Sequence, residues 1–273
     1  MSGAIRIAMV SCRAVVGDTA GNVAEMERCL DLPDARGAHI VCFPECSLTG
    51  YLVSADAADL GETIPGPLTR KLEAVCAARG IVVIAGIVER AKSACFLTQV
   101  VAGPSGVIGA YRKIHLSARE LEYFTPGGGV PLFSWKDFSF GIGLCYDAHF
   151  PELATLYALA GADIIFYPHA SPPPETRDEK RARWLRYLPA RAYDNGVYAA
   201  ACNQSGVNGR GMAFQGVNLI LDPKGRLVSE SSGEGGTVAS AELSREVLQR
   251  VRTSDQGFFL GGRRPDIYGG LVE

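Results

Sequence analysis

Short runs of β-branched and other apolar residues recur along the chain at intervals typical of strands. They predict nine strands, at residues 5–10, 40–43, 81–88, 97–102, 138–144, 163–167, 197–202, 217–221 and 227–230. Residues 81–88 are apolar throughout, as in a strand that is buried on both faces. The last two strands flank the sequence Asp222-Pro223-Lys224-Gly225, whose turn residues predict a hairpin.

Apolar positions spaced by three and four residues predict three helices between these strands. The first begins at Pro67 and ends at Gly80, and the second begins at Pro151. The third covers about residues 178–195, and its charge-rich beginning, residues 177–186, is typical of a solvent-exposed face. The alternation of strands and helices predicts an α/β fold, although periodicity leaves the order of the layers open.

Length and composition fit one globular domain. The chain has 273 residues, 47% of them hydrophobic, without a low-complexity tract, linker or repeat, so residues 1–273 are interpreted as a single domain. The net charge of −2 argues against a nucleic-acid partner. No apolar window reaches the roughly 20 residues of a membrane span, and the N-terminus lacks the pattern of a signal peptide. We therefore expect a cytoplasmic protein without a membrane partner.

The eight cysteines are scattered along the chain and form no CxxC pair, which argues against a zinc or thioredoxin-type site. Cys42 and Cys46 flank a carboxylate, but no nearby histidine completes a set of metal ligands. No metal is therefore expected, and most of the cysteines are interpreted as small core residues.

Three segments carry side chains suited to catalysis. The first, residues 41–51, is the apolar end of a strand followed by Phe43-Pro44-Glu45, and strand ends in α/β folds often position functional groups. The second, residues 111–116, contains Lys113 within a short basic patch. Taken alone, the first is compatible with a solvated loop acid and the second with an ordinary surface patch.

The third segment, residues 140–152, is a glycine-rich apolar strand that leads into Cys145 and then into the helix that begins at Pro151. This arrangement is similar to a nucleophile elbow, in which a tight turn exposes the reactive side chain at the end of a sheet. Because cysteine is most often a small buried residue, this segment alone leaves a structural role open.

Together, in this order and spacing, the three segments resemble the hallmarks of the nitrilase superfamily of carbon–nitrogen hydrolases. Those hallmarks are a Glu after Phe-Pro, a Lys in Tyr-Arg-Lys-x-His, and a Cys in Gly-x-x-Cys-Tyr-Asp-x-x-Phe-Pro-Glu, and they fall here on Glu45, Lys113 and Cys145. The resemblance covers nearly the whole chain. It implies a four-layer α-β-β-α sandwich in which these three side chains meet, no organic cofactor, and a homodimer or larger assembly with the tail, about residues 255–273, at an interface.

The residue types at these positions fit the hydrolysis of an amide through a thioester. Cys145 would attack the carbonyl carbon, and Glu45 would take the thiol proton, return it to the leaving ammonia and later activate water. Lys113 and the backbone N–H of Tyr146 would face the oxyanion that the attack creates.

The resemblance also implies residues beyond this triad. A second carboxylate is expected to position the lysine and the substrate; Glu120 matches the family spacing better than the alternative, Glu122. The residues expected to line the substrate pocket are Tyr51, His149, His169 and Ala170.

The residues around the nucleophile favour a small-molecule amide as the substrate. Cys145-Tyr146-Asp147 looks like the amidase branches of the family, whereas true nitrilases tend to have Cys-Trp-Glu. Members that act on ω-amides of dicarboxylic acids often have arginine at the position of His149, because a guanidinium group binds a carboxylate in a two-pronged fashion. A nitrilase, an N-carbamoyl hydrolase and a non-catalytic binding protein on the same fold are the alternatives.

Overall fold

The computed structural model describes residues 3–172 and 174–271. The strands are β1 (Ala4–Ser11), β2 (Ile40–Cys42), β3 (Val82–Ala91), β4 (Ala94–Gly103), β5 (Gly106–Arg112), β6 (Phe133–Trp135), β7 (Phe138–Ile142), β8 (Ile164–His169), β9 (Tyr198–Asn203), β10 (Gly206–Val207), β11 (Ala213–Phe214), β12 (Val217–Leu221), β13 (Leu227–Ser232) and β14 (Thr237–Ser244). The helices are α1 (Thr19–Leu30), α2 (Pro67–Arg79), α3 (Pro151–Leu159), α4 (Arg177–Tyr193) and α5 (Arg245–Arg252). Short 3-10 helices are formed by Ala55–Leu60, Glu120–Glu122, Cys145–His149, Leu260–Gly262, Pro265–Ile267 and Gly269–Leu271.

Two six-stranded sheets form the centre of the molecule, in the orders β14-β1-β2-β3-β4-β5 and β13-β12-β9-β8-β7-β6. The middle of each sheet is parallel, through β1, β2 and β3 in one and β7, β8 and β9 in the other. Antiparallel strands extend each sheet on both sides, and β10 pairs with β11 in a separate two-stranded ribbon. Because the carboxyl ends of parallel strands lie at one edge, the segments after β2 and β7 are positioned to carry functional groups.

The two sheets pack face to face, with helices on both outer faces. The core between them contains Ile7 and Ile84 from one sheet and Phe140 and Phe166 from the other. Apolar side chains of α1 and α2 cover the outer face of the first sheet, and those of α3 and α4 cover the second. The α-β-β-α sandwich implied by the sequence is thus confirmed.

Most of the predicted elements are confirmed. The nine predicted strands correspond to β1, β2, β3, β4, β7, β8, β9, β12 and β13, with ends that differ by at most three residues. The predicted helices are α2, α3 and α4, and the predicted turn joins β12 to β13 as an antiparallel hairpin. The pattern did not predict β5, β6, β10, β11, β14, α1 or α5. No helix in the described ranges is long and apolar enough to cross a membrane.

One interpretation is wrong. The charge-rich beginning of α4 was expected to be a solvent-exposed face, but the side chain of Lys180 has an exposed fraction of 0%. A buried charged side chain needs polar partners, so Lys180 must contact polar groups within the protein. The tail forms short 3-10 helices as far as Leu271, and residues 272–273 lie outside the described part of the chain. Its expected place at an oligomer interface stays a prediction.

Gly141 allows β7 to lie close against α3. A Cβ atom at this position would be 2.4 Å from the ring of Tyr157. The hydroxyl of Tyr157 donates a hydrogen bond of 2.7 Å to the carbonyl of Ile142, the last residue of β7. Contact between ring and strand therefore fixes the end of the strand that leads to Cys145.

We predict that Gly141→Ala lowers the free energy of unfolding by about 1–3 kcal/mol, because the methyl group overpacks this contact. Urea unfolding followed by circular dichroism measures the change. Gly128→Ala is the control, since a Cβ there would have no atom within 4 Å. Equal unfolding midpoints for the two variants would contradict the prediction, because they would show that β7 and α3 can move apart without a loss of stability.

Candidate active site

Glu45 is placed by a tight turn immediately after β2. The next residue, Cys46, has a φ of 52°, in the left-handed region that a side chain with a Cβ rarely adopts. The backbone of this turn lies so close to β3 that a Cβ on Gly86 would be 2.1 Å from the nitrogen of Cys46. The amide of Gln204 also donates a 2.7 Å hydrogen bond to the Glu45 carbonyl. These constraints hold the Glu45 carboxylate in a buried position.

Lys113 follows β5 and reaches the same buried position. Its Nζ donates to Glu45 Oε1 at 2.9 Å and to Glu120 Oε1 at 2.7 Å. The side chains of Lys113 and Glu45 are each only 1% exposed, and that of Glu120 is 3% exposed. The lysine therefore forms a bridge between two buried carboxylates.

Glu120 is held independently of the lysine. The hydroxyl of Tyr51 donates to Glu120 Oε1 at 2.9 Å, and the backbone N–H of Ser117 donates to Oε2 at 2.8 Å. Glu122 is exposed. The structure therefore brings Glu120, rather than Glu122, to Lys113. Tyr51, which was expected to line the pocket, is buried and contacts this carboxylate.

Cys145 is the first residue of the 3-10 helix after β7 and has a left-handed φ of 46°. The residue as a whole is half-buried. This backbone conformation, in a residue other than glycine, is typical of strained turns at functional sites. The N–H of Tyr146 lies in the first turn of that helix, where backbone donors have no partner within the helix.

The carboxylate of Asp147 holds the turn that carries Cys145. Its Oδ2 accepts hydrogen bonds of 2.7 Å from the Leu144 N–H and from the Tyr111 hydroxyl. Its Oδ1 accepts from the His115 N–H at 2.9 Å and lies 2.7 Å from Nδ1 of the same residue. This role of Asp147 was not predicted from the sequence. An aspartate two residues after the predicted nucleophile is the signal that could have indicated it.

The remaining predicted pocket residues occupy different environments. The N–H of Ala170 donates to Glu45 Oε2 at 2.9 Å, so this residue touches the carboxylate directly. His169 is buried, with Nδ1 2.7 Å from the Tyr167 carbonyl and its ring centroid 4.4 Å from that of Trp184. His149 is exposed at the mouth of the site. Of the predicted set, His149 is therefore the residue with a surface open to solvent.

Electrostatics give the two carboxyl groups different properties. Burial, together with the charge of Glu120, raises the pKa of Glu45 above its usual value despite the opposing charge of Lys113. Burial also acts to raise the pKa of Glu120, but the charge and hydrogen bond of Lys113 outweigh it and lower that pKa. Two acids in one cluster with pKa values shifted in opposite directions are suited to different tasks.

The thiol and the lysine are affected by the same charges. Burial and the negative charge of Glu45 raise the pKa of Cys145 to about 12, so the thiol is neutral near pH 7. Burial alone would lower the pKa of Lys113, but the charges of Glu45 and Glu120 raise it, so the ammonium is retained. A group that accepts a proton from the thiol is therefore required before Cys145 can act as a nucleophile.

A metal site has no support in the arrangement of side chains. Across residues 3–172 and 174–271, no three His, Cys, Asp or Glu side chains are grouped so that they could hold an ion.

Comparison with known proteins gives a consistent family assignment. Residues 6–253 match the family model described as carbon-nitrogen hydrolase. A protein of Pyrococcus abyssi named a nitrilase is 31% identical over 268 residues, which is 97% of this chain and 99% of that protein. An omega-amidase of Xenopus tropicalis is 32% identical over 244 residues, 85% of this chain and 86% of the relative.

A solved structure shows the same fold. The CN-hydrolase superfamily protein of Xanthomonas campestris, with an arsenic adduct in its active site, superposes with a TM-score of 0.84 at 23% identity. The match covers 96% of this chain and 97% of that one. This chain therefore belongs to the carbon–nitrogen hydrolase family, within the nitrilase superfamily, and is an enzyme that acts on carbon–nitrogen bonds other than peptide bonds.

Proposed function

We propose that this enzyme hydrolyses the amide of a small molecule to a carboxylic acid and ammonia, through a thioester on Cys145. One observation carries the proposal: Glu45, Lys113 and Glu120 form a buried cluster whose charges act on Cys145, a cysteine held in a left-handed turn at the end of β7. A base, a cation and a nucleophile that meet in this way are the parts that acyl transfer requires.

Glu45 is the general base in this proposal. Each of its carboxylate oxygens accepts one hydrogen bond, Oε1 from Lys113 and Oε2 from Ala170, so a lone pair is left for a proton. Its raised pKa makes it a stronger base than a solvated carboxylate. Because the Cys145 thiol is neutral at rest, proton transfer to Glu45 accompanies the attack of sulfur on the amide carbon.

Lys113 stabilises the oxyanion. An ammonium group has three donors, and two of them are used by Glu45 and Glu120. The third can face the oxygen of the tetrahedral intermediate, together with the backbone N–H of Tyr146. Donors fixed in this way before the reaction lower the barrier, and removal of one costs about 3–4 kcal/mol.

The reaction then proceeds in two balanced halves. The intermediate collapses as Glu45 gives its proton to the amide nitrogen, the carbon–nitrogen bond breaks, and ammonia leaves a thioester on Cys145. Water next loses a proton to Glu45 and attacks the thioester carbon. The carbon–sulfur bond breaks, the acid departs, and the proton on Glu45 returns to the sulfur. Glu120, which the lowered pKa keeps ionised, holds Lys113 in place throughout.

A nitrile is the second candidate substrate. The relative named a nitrilase aligns with 97% of this chain, so the scaffold and most of its length are shared with a protein of that name. An amide is preferred because the sequence Cys145-Tyr146-Asp147 looks like the amidase branches. The two substrates would use the same nucleophile and are separated by a direct assay.

We predict that the purified protein releases ammonia from small amides, and that Cys145→Ala reduces kcat/KM by a factor on the order of 10⁶, because the nucleophile is lost. Cys95→Ala is the matched control, since Cys95 is also half-buried but lies outside the cluster. The assay compares short aliphatic amides, ω-amides, N-carbamoyl compounds and nitriles, and mass spectrometry of rapidly quenched enzyme detects the acyl group on the protein.

Ammonia release from an amide by the wild type and by Cys95→Ala, together with an acyl adduct on Cys145, supports the proposal. Turnover of nitriles alone would replace the amide by the nitrile as the substrate. Full activity in Cys145→Ala would contradict the thioester mechanism.

We predict that kcat/KM for a neutral amide decreases at low pH with a midpoint above 4.5, the ordinary value for a glutamate. The sign follows from the role of the base: protonation of Glu45 removes the acceptor of the thiol proton, and burial raises the pH at which this happens. No increase is expected between pH 8 and 9, because the pKa of about 12 keeps the thiol neutral there and the neutral thiol, which passes its proton to Glu45 during the attack, is the reactive form. Initial rates between pH 4 and 9.5, with circular dichroism to verify folding, measure the profile.

A midpoint at or below 4.5 would show that Glu45 is not the group that must be ionised. A rate that continues to rise through pH 9 would indicate that the free enzyme reacts as a thiolate.

A further inference from the structure

Two basic residues of α4, Lys180 and Arg183, lie within electrostatic range of Cys145. Lys180 is fully buried, and its Nζ donates to Ser171 Oγ at 3.0 Å and to Glu175 Oε2 at 3.3 Å. Arg183, one turn further along, is partly buried. Its Nε contacts Glu175 Oε1, and its Nη2 donates to Glu175 Oε2 at 2.9 Å and to Ser171 Oγ at 3.4 Å.

One chain of contacts connects this cluster to the proposed base. Ser171, which accepts from both cations, directly follows Ala170, whose N–H donates to Glu45 Oε2. The amide of Asn203 fixes Ser171 from the other side, through bonds to its backbone N–H at 2.8 Å and its carbonyl at 3.1 Å. The cations are therefore anchored to the same short segment that positions Glu45.

A second series of contacts leads from Arg183 towards Cys145. Its Nη1 lies 3.5 Å from the Tyr187 hydroxyl. The ring centroid of Tyr187 is 4.7 Å from that of His149, which in turn is 5.8 Å from the ring of Tyr146, the residue after Cys145. Aromatic contacts thus connect Arg183 to the residue that follows Cys145.

The charges of the cluster favour an anionic ligand at Arg183. Two basic groups face one carboxylate, Glu175, and both oxygens of that carboxylate are already engaged. A cationic substrate would therefore be repelled by the excess of positive charge there. Burial and the charges of Arg183 and Arg191 lower the pKa of His149, so its imidazole adds no positive charge near pH 7.

Donors remain available for such a ligand. Ser171 Oγ accepts hydrogen bonds from Lys180 and Arg183, so its own hydroxyl hydrogen can be donated elsewhere. Arg183 Nη1 carries two N–H groups and, among residues 3–172 and 174–271, has one long contact, with Tyr187. A guanidinium and a hydroxyl that lie side by side, as these do at 3.4 Å, can bind one carboxylate by charge-assisted hydrogen bonds.

We propose that Arg183 is a specificity-determining residue that binds a carboxylate at the end of the substrate opposite the amide. The preferred substrate class is then the monoamide of a short dicarboxylic acid. This inference rests on the proposed function, since it concerns the same acyl site.

Three amides of matched length and different charge test the proposal. Glutaramate, pentanamide and 4-aminobutanamide each place three methylene groups between the amide and a carboxylate, a methyl group or an ammonium. For the wild type, kcat/KM is expected to be about 10- to 100-fold higher for glutaramate than for pentanamide, which is the range of a hydrogen bond to a charged group. The cationic amide is expected to be the poorest substrate.

Arg183→Gln is expected to lower kcat/KM for glutaramate about 10- to 100-fold, mainly through KM, so that the preference over pentanamide disappears. Arg183→Lys, which keeps the charge but not the planar fork, is expected to retain part of the preference. Arg186→Gln is the control, because Arg186 is an exposed cation on the same helix and should leave the preference as in the wild type.

The outcomes separate the two proposals. Hydrolysis of pentanamide by the wild type without a preference for glutaramate would overturn the role of Arg183 and leave the amidase function intact. An equal loss for both amides in Arg183→Gln and Arg183→Lys would indicate a structural role only. No ammonia from any of the three amides would contradict the proposed function, and the subsite with it.

Discussion

The active site depends on one ammonium group buried between two carboxylates. Lys113 Nζ lies 2.9 Å from Glu45 and 2.7 Å from Glu120, and almost no solvent reaches the three side chains. Buried charges are tolerated only when they are paired and hydrogen-bonded. Removal of any one of the three side chains would leave a buried charge without its partner and destabilise the protein. The Tyr51 hydroxyl and the N–H groups of Ser117 and Ala170 donate further hydrogen bonds to the two carboxylates. The same arrangement moves the pKa values of the two acids in opposite directions, which fits the proposed division between a base, Glu45, and a positioning group, Glu120.

The sandwich supplies the rigidity that this cluster requires. Glu45 and Cys145 follow parallel strands of different sheets, and each turn contains a residue with a left-handed backbone, Cys46 in one and Cys145 in the other. Such conformations persist only where the surroundings determine them. At Cys145, the four contacts of the Asp147 carboxylate do so, since they tie its turn to Tyr111 and His115. Packing between the two sheets thus fixes the relative positions of Glu45 and Cys145.

The sequence predicts those parts of this structure that are determined by residues close together in the chain. Continuous apolar runs such as residues 81–88 indicate a buried strand, and ordered motifs indicate Glu45, Lys113 and Cys145. The small and mixed residues of β14 and the glycines of β5 give only a weak strand pattern in the sequence. These two strands form through pairing with β1 and β4, and a local pattern does not contain that pairing. The burial of Lys180 is likewise a property of the folded chain, as its partners Ser171 and Glu175 precede α4 in a segment without periodicity.

The distribution of charge around Cys145 has a consequence for how a substrate is oriented. Glu45, Lys113 and Glu120 together carry one net negative charge, whereas Lys180, Arg183 and Glu175 together carry one net positive charge. A substrate carboxylate is therefore repelled from the reacting end of the site and attracted to α4. If the carboxylate binds at Arg183, the opposite end of a short molecule is directed towards the thiol. The departure from arginine at His149 is then compatible with an ω-amide, because the cation comes from another element of the fold.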